Sequence, residues 1–426
     1  MKDALKKIIS DFHQNGYPEP LERDLVVPLE IEKIISIIGP RRAGKTYYLY
    51  QLMDLLRAEK VERQQILYIN FEDERLEFEN GRHDDIIESY LELYPDAKLP
   101  DLYLFFDEIQ ELPSWEKYIR RIYDTTTKHI FLTGSNSRFL SREIATSLRG
   151  RTIAFELMPL SFSEYLKFNK IDAADTYSTR GKSRIQKAFD QYLIWGGYPE
   201  LVKIDAELKT QILQEYFNVM IYRDLVERYT IGDVSLLKYV MKRLISSLTK
   251  EFSINKIYNE LKSRGLSISK DSLYKLVDEI FSVYLMESVE KYEPSLVNRE
   301  MSNKKIYMYD NGLAAATRYA IFEDKGKLLE NMVFNHLRKK YDQVSFYKNR
   351  YECDFLAFKQ DSAPVAIQVT QILSQDTIDR EIKGLDAVHK IRPDSKLLIL
   401  FTSIQPNLTM PEKYESMSVI EWLLTP

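Results

Sequence analysis

Short apolar runs alternate with helically spaced stretches in the first part of the chain. The run beginning at Ile34, Ile-Ile-Ser-Ile-Ile, is almost continuously β-branched, as in strands that are buried on both faces. Similar runs lie at residues 65–70, 102–106 and 129–133. Strands that alternate with helices predict an α/β fold with a parallel sheet covered on both faces.

The pattern changes after residue 160. Residues 161–231 have helical spacing, broken by the turn signal Trp195-Gly-Gly-Tyr-Pro199, and they predict a helical lid. Residues 232–320 contain helical patterns at 236–248, 253–263 and 269–281, followed by a hairpin pattern that ends at 305–310. Three short helices followed by a hairpin predict a winged helix-turn-helix.

The last part, residues 321–426, predicts a small α/β domain of its own. A helix is expected at 327–339, and strands at 345–347, 353–358, 365–369 and 396–401. With the core at residues 1–160, the chain divides into four predicted parts. A length of 426 residues agrees with several domains that each bury a core.

Composition narrows the class of protein. The formal net charge of −4 does not suit a protein whose whole surface binds nucleic acid or anionic membrane. A single cysteine, Cys353, excludes an internal disulfide, and the histidines show no metal-ligand spacing. We expect a cytoplasmic protein without a membrane span, because no apolar run approaches the roughly 20 residues that a span needs.

The first chemical motif follows the Ile34 run. Residues 39–46 are Gly-Pro-Arg-Arg-Ala-Gly-Lys-Thr, a phosphate-binding loop between a predicted strand and a predicted helix. In such a loop the lysine reaches the β- and γ-phosphates of ATP, and the threonine hydroxyl ligates Mg²⁺. The expected ATP-binding residues are Gly39, Pro40, Arg41, Arg42, Ala43, Gly44, Lys45 and Thr46.

A second motif supports the first. The apolar run at 102–106 ends in Asp107 and Glu108, as a Walker B strand does. Asp107 is expected to orient the ligands of Mg²⁺, and Glu108 to polarise the attacking water. Together the two motifs predict an ATPase core.

Polar residues around the core leave alternatives open. Ser135 and Asn136 follow the run at 129–133 and are expected either to act as a sensor of the γ-phosphate or to cap the next helix. Arg149, Arg151 and Arg223 either stabilise the transferred phosphoryl group from a neighbouring subunit or pair with surface acids. Of these, Arg151 is the predicted catalytic arginine, and a homo-oligomer is the assembly that it implies.

Several motifs together resemble a prokaryotic AAA+ ATPase family in which the ATPase is fused to a winged helix and a C-terminal restriction-endonuclease-like domain. The resemblance covers essentially the whole chain and implies a P-loop AAA+ fold that uses ATP and Mg²⁺. The motifs are residues 39–46, Phe106-Asp-Glu-Ile-Gln110 with Trp115, Thr133-Gly-Ser-Asn136, Gly150-Arg151, Pro159-Leu-Ser-Phe162 with Glu164, and Gly196-Gly-Tyr-Pro199.

The same resemblance implies a nuclease-like site in the last domain. Glu330 and Asp354 take the places of two carboxylates that bind Mg²⁺, while Gln368 replaces a carboxylate and Thr370 replaces the lysine. An amide is a weaker metal ligand and a threonine supplies no cation. A degenerate domain is therefore favoured over an active nuclease.

The predicted winged helix-turn-helix either binds DNA or serves only as a protein spacer. Residues 270–279 of the expected recognition helix carry nearly equal numbers of basic and acidic residues, whereas Arg299, Lys304 and Lys305 would form a basic wing. Three functions compete: an ATP-driven switch or motor, with or without DNA as its ligand, an ATP-regulated Mg²⁺ nuclease, and a nucleotide-gated scaffold without nucleic acid.

Overall fold

The computed structural model describes residues 1–78, 82–134, 148–176, 178–266, 268–317 and 324–425. These residues divide into two compact units, Met1–Pro159 and Leu160–Pro426. Each unit has apolar core clusters of its own.

The first unit is built on a five-stranded parallel sheet in the order β2-β3-β4-β1-β5. Strand β1 lies between β4 and β5, and it pairs with β4 from Ile35 to Ile38 and with β5 from Ile34 to Ile38. The strands of this sheet are β1 (Ile34–Ile38), β2 (Ile66–Asn70), β3 (Tyr103–Asp107), β4 (Ile130–Gly134) and β5 (Thr152–Glu156).

Helices lie on both faces of this sheet, and two apolar clusters form the core. One cluster joins Leu104, Phe106 and Leu132 to the helix that begins at Trp115, and the other joins Ile35, Ile37 and Phe105 to the helix that begins at Lys45. The helices are α1 (Lys2–Asn15), α2 (Lys45–Ala58), α3 (Asp85–Leu93) and α4 (Trp115–Thr125). Short 3₁₀ turns lie at Arg63–Gln65, Leu99–Asp101 and Ile109–Glu111.

The second unit begins with helices. They are α5 (Phe162–Phe168), α6 (Thr179–Trp195) and α7 (Ala206–Val219), with a 3₁₀ turn at Pro199–Lys203 and a π-helical segment at Met220–Glu227. Helices α8 (Val234–Ser246), α9 (Ile254–Ser263) and α10 (Lys270–Phe281) follow. They accompany an antiparallel sheet in the order β6-β8-β7, formed by β6 (Glu251–Phe252), β7 (Met286–Val289) and β8 (Lys304–Met308). Helix α11 (Leu296–Met301) connects β7 to β8, and α12 (Asn311–Ala316) follows β8.

A mixed sheet closes the second unit, in the order β13-β12-β11-β10-β9. Along the chain, the first three strands of this sheet pair antiparallel, and the last three pair in parallel. The strands are β9 (Gln343–Lys348), β10 (Glu352–Phe358), β11 (Val365–Leu373), β12 (Lys396–Ile404) and β13 (Glu415–Ser418). The helices are α13 (Lys325–Lys340), α14 (Gln375–His389) and α15 (Val419–Leu424).

The turn at Gly196 and Gly197 is packed against a buried carboxylate. Asp310 accepts hydrogen bonds from the backbone N–H of Gly197 (2.8 Å) and of Gly312 (2.7 Å). Gly196 has φ +71°, and a Cβ there would lie 1.9 Å from Asp310 Oδ1. Burial raises the pKa of Asp310 to about 7. The glycine pair is therefore required by close packing within the second unit.

The structure confirms the predicted α/β fold with a parallel P-loop sheet, and the strands predicted in the core lie within one residue of β1 to β4. The sequence interpretation missed β5, which has only half-buried and exposed residues, so it lacks a continuous apolar run. Over the ranges that the structure describes, no helix is long and apolar enough to cross a membrane.

Candidate active site

The loop at residues 39–46 joins the carboxyl end of β1 to the amino end of α2, as its motif predicts. Gly39 has φ +153°, and a Cβ there would lie 2.0 Å from the carbonyl oxygen of Leu157. Gly44 precedes α2 in the left-handed region, at φ 94°. Only glycine fits both positions without strain, so the backbone can turn its N–H groups toward a phosphate.

Lys45 lies folded over the loop. Its side chain is 3% exposed, and its ammonium group donates to the carbonyl oxygens of Gly39 (3.2 Å) and Pro40 (3.0 Å). The Glu108 Oε1 atom lies 3.7 Å from Nζ. These oxygen atoms balance the charge of the Lys45 ammonium group, a role that a γ-phosphate oxygen would otherwise have.

Asp107 is fully buried at the end of β3 and holds the Walker B position. Thr46 donates to its Oδ2 atom (2.7 Å), and Tyr68 donates to the same oxygen (3.1 Å). Thr133 donates to Oδ1. Burial raises the pKa of Asp107, although the hydrogen bonds from Thr133 and Thr46 act in the opposite direction. Thr46 and Asp107 thus form the threonine–carboxylate pair that suits Mg²⁺.

Glu108 is held in an unusual backbone conformation directly after β3. Its φ of 50° is in the left-handed region, which a non-glycine residue occupies only when its surroundings enforce it. Its backbone N–H donates to Thr133 Oγ1 (2.8 Å), and its Oε2 accepts from Gln110 Nε2 (2.5 Å). The strained turn directs the carboxylate toward Lys45 rather than along the strand.

Strand order explains why these residues meet. Strand β4 lies between β1 and β3, so the carboxyl ends of the three parallel strands form one edge of the sheet. Thr133, near the end of β4, contacts both Asp107 and Glu108. The sequence interpretation included Thr133 and Gln110 in the family motifs but gave neither residue a role of its own. The available signal was a polar residue at the end of a neighbouring strand.

Arg23 is a further residue that sequence reasoning missed. Its guanidinium is buried and donates to the carbonyl oxygens of Ala43 (2.9 Å) and Met158 (2.6 Å). Its backbone N–H donates to Gln51 Oε1 (2.8 Å) on α2. Arg23 therefore ties the phosphate loop to the segment after β5, and no local pattern around residue 23 indicates this.

The described structure does not place every predicted site residue at the phosphate loop. Ser135 and Asn136 lie outside the described residues. Arg151 forms a two-pronged ion pair with Asp124 (3.1 and 3.0 Å) at the amino end of β5, the opposite edge of the sheet from the loop. Its own chain therefore does not bring Arg151 to the phosphate loop.

Arg41 and Arg42 lie in the loop as expected. Arg41 Nη1 is 3.4 Å from Glu72 Oε1, and Arg42 has φ 63°. Arg149 precedes β5, at φ 49°. Arg223 lies in the π-helical segment of the second unit.

The nuclease-like residues form a second polar cluster. Asp354 accepts from the backbone N–H of Val369 (2.9 Å), and its own N–H donates to Gln368 Oε1 (2.7 Å). Burial, and then the charge of Glu330, raises the pKa of Asp354 to about 8, while Lys305 lowers it. The Thr370 hydroxyl donates a hydrogen bond to the carbonyl oxygen of Ile372 (3.3 Å).

The expected basic wing is wrong for Lys305. This residue is 1% exposed and pairs with carboxylates of α13 and β10. Lys304 pairs with Glu290 (3.0 Å), and Arg299 donates to the carbonyl oxygen of Glu293 (3.2 Å). A lysine in an apolar strand was interpreted as surface charge because its partners lie far along the chain.

Comparison with family models identifies the class of the first unit. Residues 31–166 match a model described as an AAA domain, which spans the phosphate loop, β3 and β4. Residues 186–321 match a domain of unknown function. The loop at residues 39–46 thus lies in an AAA-type domain.

Whole-chain relatives define the family itself. The uncharacterized protein MJ1544 of Methanocaldococcus jannaschii is 34% identical over 419 residues, which covers 95% of this chain and 91% of that protein. The chain belongs to the family of that protein. An uncharacterized protein of Haemophilus influenzae is 28% identical over 396 residues, with 92% and 94% covered.

Solved structures are only loosely similar. The Aeropyrum pernix Orc1 protein in complex with DNA gives a TM-score of 0.33 at 13% identity, covering 75% of this chain and 92% of that one. AMPPCP-bound DnaA from Aquifex aeolicus gives 0.25 at 13% identity, with 64% and 86% covered. Scores this low carry no conclusion about fold or function.

Proposed function

We propose that this chain is an ATPase that binds ATP with Mg²⁺ at the phosphate loop and uses hydrolysis to switch its own conformation. The observation that carries the proposal is the Thr46–Asp107 hydrogen bond of 2.7 Å, with Lys45 and Glu108 beside it. All four residue types of a P-loop hydrolysis site meet at one sheet edge.

The donor set suits ATP and Mg²⁺. Gly39 and Gly44 allow the backbone conformation in which successive N–H groups of the loop can approach a phosphate. Thr46 and Asp107 supply the hard oxygen atoms that Mg²⁺ prefers. Gln110 Oε1 is buried and has no hydrogen-bond partner within the described ranges, so it offers an acceptor to a water beside Glu108.

Each residue has a distinct role in this proposal. Lys45 would leave the carbonyl oxygens of Gly39 and Pro40 and pair with the β- and γ-phosphates. Glu108, oriented by Gln110, would accept a proton from the attacking water. When bound, Mg²⁺ would neutralise charge on the phosphates.

ATP turnover and nucleotide binding test the proposal in the Lys45→Ala and Glu108→Gln variants. We expect Lys45→Ala to lose nucleotide binding. Glu108→Gln should bind ATP but hydrolyse it about 10²- to 10⁴-fold more slowly, because the general base is removed. Glu111→Gln, an exposed acid nearby, is the matched control. Normal turnover in Glu108→Gln would falsify the assignment.

The ligand of the second unit is proposed less narrowly. On α10, Lys275 is 3.7 Å from Glu279, which leaves that helix face with balanced charge. Stimulation of the ATPase rate by duplex or single-stranded DNA at low salt would support a DNA-dependent switch or motor. An unchanged rate and no mobility shift would favour a nucleotide-gated scaffold.

Assembly can be tested with the same protein. Size-exclusion chromatography with and without ATP would reveal a homo-oligomer. Arg151 remains a candidate for action on a neighbouring subunit, since its own chain holds it with Asp124. Loss of turnover in Arg151→Ala without loss of ATP binding, seen only in an oligomer, would support that role.

A further inference from the structure

A buried lysine lies among the carboxylates of the nuclease-like cluster. Lys305 belongs to β8, and its side chain is 2% exposed. Its ammonium group lies 3.1 Å from Glu330 Oε1 on α13, 2.8 Å from Glu352 Oε1 and 3.9 Å from Asp354 Oδ1 on β10. Three carboxylates thus surround one positive charge.

Each of the three carboxylates also accepts a second contact from a neighbouring donor. Tyr307, on the same strand as Lys305, donates to Glu330 Oε1 (2.7 Å). Lys348 lies 2.9 Å from Glu352 Oε2. Asp354 Oδ2 accepts from a backbone N–H. A buried ammonium is tolerated only when it is paired and hydrogen-bonded in this way.

Gln368 is fixed by contacts at both ends of its amide. Its Oε1 accepts from the backbone of Asp354, and its Nε2 donates to Glu381 Oε2 (2.9 Å). A Cβ at Gly384 would lie 2.7 Å from Nε2, so the side chain packs closely against α14. The amide therefore cannot turn to ligate a cation without losing these bonds.

The Mg²⁺ that the endonuclease-like resemblance implies does not fit this arrangement. Mg²⁺ requires near-octahedral oxygen ligands, usually with one or two carboxylates and several waters. Here an ammonium already lies between those carboxylates. With Lys305 in place, the described residues contain no group of three or more His, Cys, Asp or Glu side chains that could hold a metal ion.

We infer that Lys305 is the resident cation of this cluster and occupies the position a divalent metal would take, so that the cluster fastens β8 to α13 and β10 instead of cutting DNA. Access is not what excludes the metal, because Glu352 is 37% exposed. The positive charge within the cluster excludes it. Removing that charge should uncover a divalent-cation site.

The first experiment uses the full-length wild-type protein without nucleotide. Mn²⁺ binding is measured by electron paramagnetic resonance in wild type and in Asp354→Asn. We expect identical binding curves, since the cluster takes no metal while Lys305 is present. Mn²⁺ binding that is lost in Asp354→Asn but kept in Asp107→Asn would overturn the inference. This comparison does not require any lysine variant to fold.

The second experiment removes the charge. Lys305→Met should bind about one additional Mn²⁺ ion per chain, because Glu330, Glu352 and Asp354 lose their cation and can act as oxygen ligands. The additional site should disappear in Lys305→Met/Asp354→Asn. Lys304→Met, which removes the neighbouring half-buried lysine that pairs with Glu290, should bind Mn²⁺ like wild type. A folded Lys305→Met protein without the additional site would contradict the inference.

Stability and cleavage give independent measurements. Mn²⁺ should raise the melting temperature of Lys305→Met more than that of wild type, because the ion binds only the folded form. Wild type incubated with plasmid DNA and Mg²⁺ or Mn²⁺ should give no cleavage that depends on Asp354. Cleavage lost in Asp354→Asn would show that the cluster works with a metal despite Lys305.

Discussion

The hydroxyl of Thr133 donates a hydrogen bond to the Asp107 carboxylate and accepts one from the backbone N–H of the next residue, Glu108. One side chain on β4 thereby fixes the orientation of both acids of the Walker B motif. Thr133→Val keeps the shape and removes both hydrogen bonds. We expect turnover to fall about 10- to 100-fold, as when a supporting partner of a catalytic ligand is lost.

Steady-state ATPase kinetics check this prediction. Thr133 forms its hydrogen bonds with Asp107 and Glu108 and not with the phosphate loop or Lys45. The turnover number kcat should therefore fall by a larger factor than the affinity for ATP. Thr133→Ser retains the hydroxyl and should recover most of the rate. Equal loss in Val and Ser variants would mean that the methyl group, and not the hydroxyl, is what matters.

The buried Asp107 carboxylate should lower the free energy of unfolding, although ATP hydrolysis depends on this residue. Burial raises its pKa, so the folded state holds its proton more tightly than the unfolded state does. Its contribution therefore becomes less favourable as pH rises above the ordinary aspartate value of about 3.9. Asp107→Asn should raise the free energy of unfolding at pH 8 by roughly 1 kcal/mol and abolish hydrolysis.

Chemical denaturation without nucleotide, at a series of pH values from about 4 upward, checks the sign. The advantage of Asp107→Asn over wild type should grow with pH. Asp101→Asn, which removes an exposed carboxylate, should show no such trend. A variant that is equally destabilised at every pH would indicate that the hydroxyl network, not the charge, dominates.

Arg23 should be required for the shape of the phosphate loop. Arg23→Met leaves the carbonyl oxygens of Ala43 and Met158 without their donor. Buried acceptors without partners cost about 1 to 3 kcal/mol each, so we expect weaker ATP binding and a lower melting temperature. Arg23→Lys supplies one donor group instead of a planar fork and should recover only part of the loss.

Fluorescent-nucleotide titration and thermal melts measure the two effects. Arg57→Met, on the exposed side of α2, is the control for removing an arginine from this unit. Wild-type affinity in Arg23→Met would contradict a role in shaping the loop.

Gly196→Ala should destabilise the second unit strongly. The new Cβ would lie 1.9 Å from Asp310 Oδ1, at a φ of +71° that alanine rarely adopts. Overpacking and backbone strain together should cost roughly 3 kcal/mol of unfolding free energy. Gly232→Ala is the matched control, since a Cβ there meets nothing within 4 Å. Equal melting temperatures for the two variants would refute the packing argument.

Sequence alone predicted the elements whose cause is local. The β-branched run before Gly39 identifies β1, and the apolar run before Asp107 identifies β3. The loop motif is fixed by backbone requirements within eight consecutive positions, so it can be recognised without a partner.

Contacts between distant segments could not be predicted in the same way. Arg23 contacts both Ala43 and Met158 only because β5 returns beside β1, and β5 itself lacked a periodic apolar signal. Lys305 had the pattern of a surface residue, because its carboxylates follow on α13 and β10. Burial of a charge depends on partners that only the folded chain brings together.

The strand order of the first unit also has a consequence for synthesis on the ribosome. Strand β1 is made early, but its sheet partners are Ile130–Gly134 and Thr152–Glu156, and no earlier strand in the described residues pairs with it. Non-local pairing of this kind is slow and leaves a hydrophobic strand unpaired in the meantime. The loop at residues 39–46 therefore acquires its final shape only after the chain has grown past residue 156.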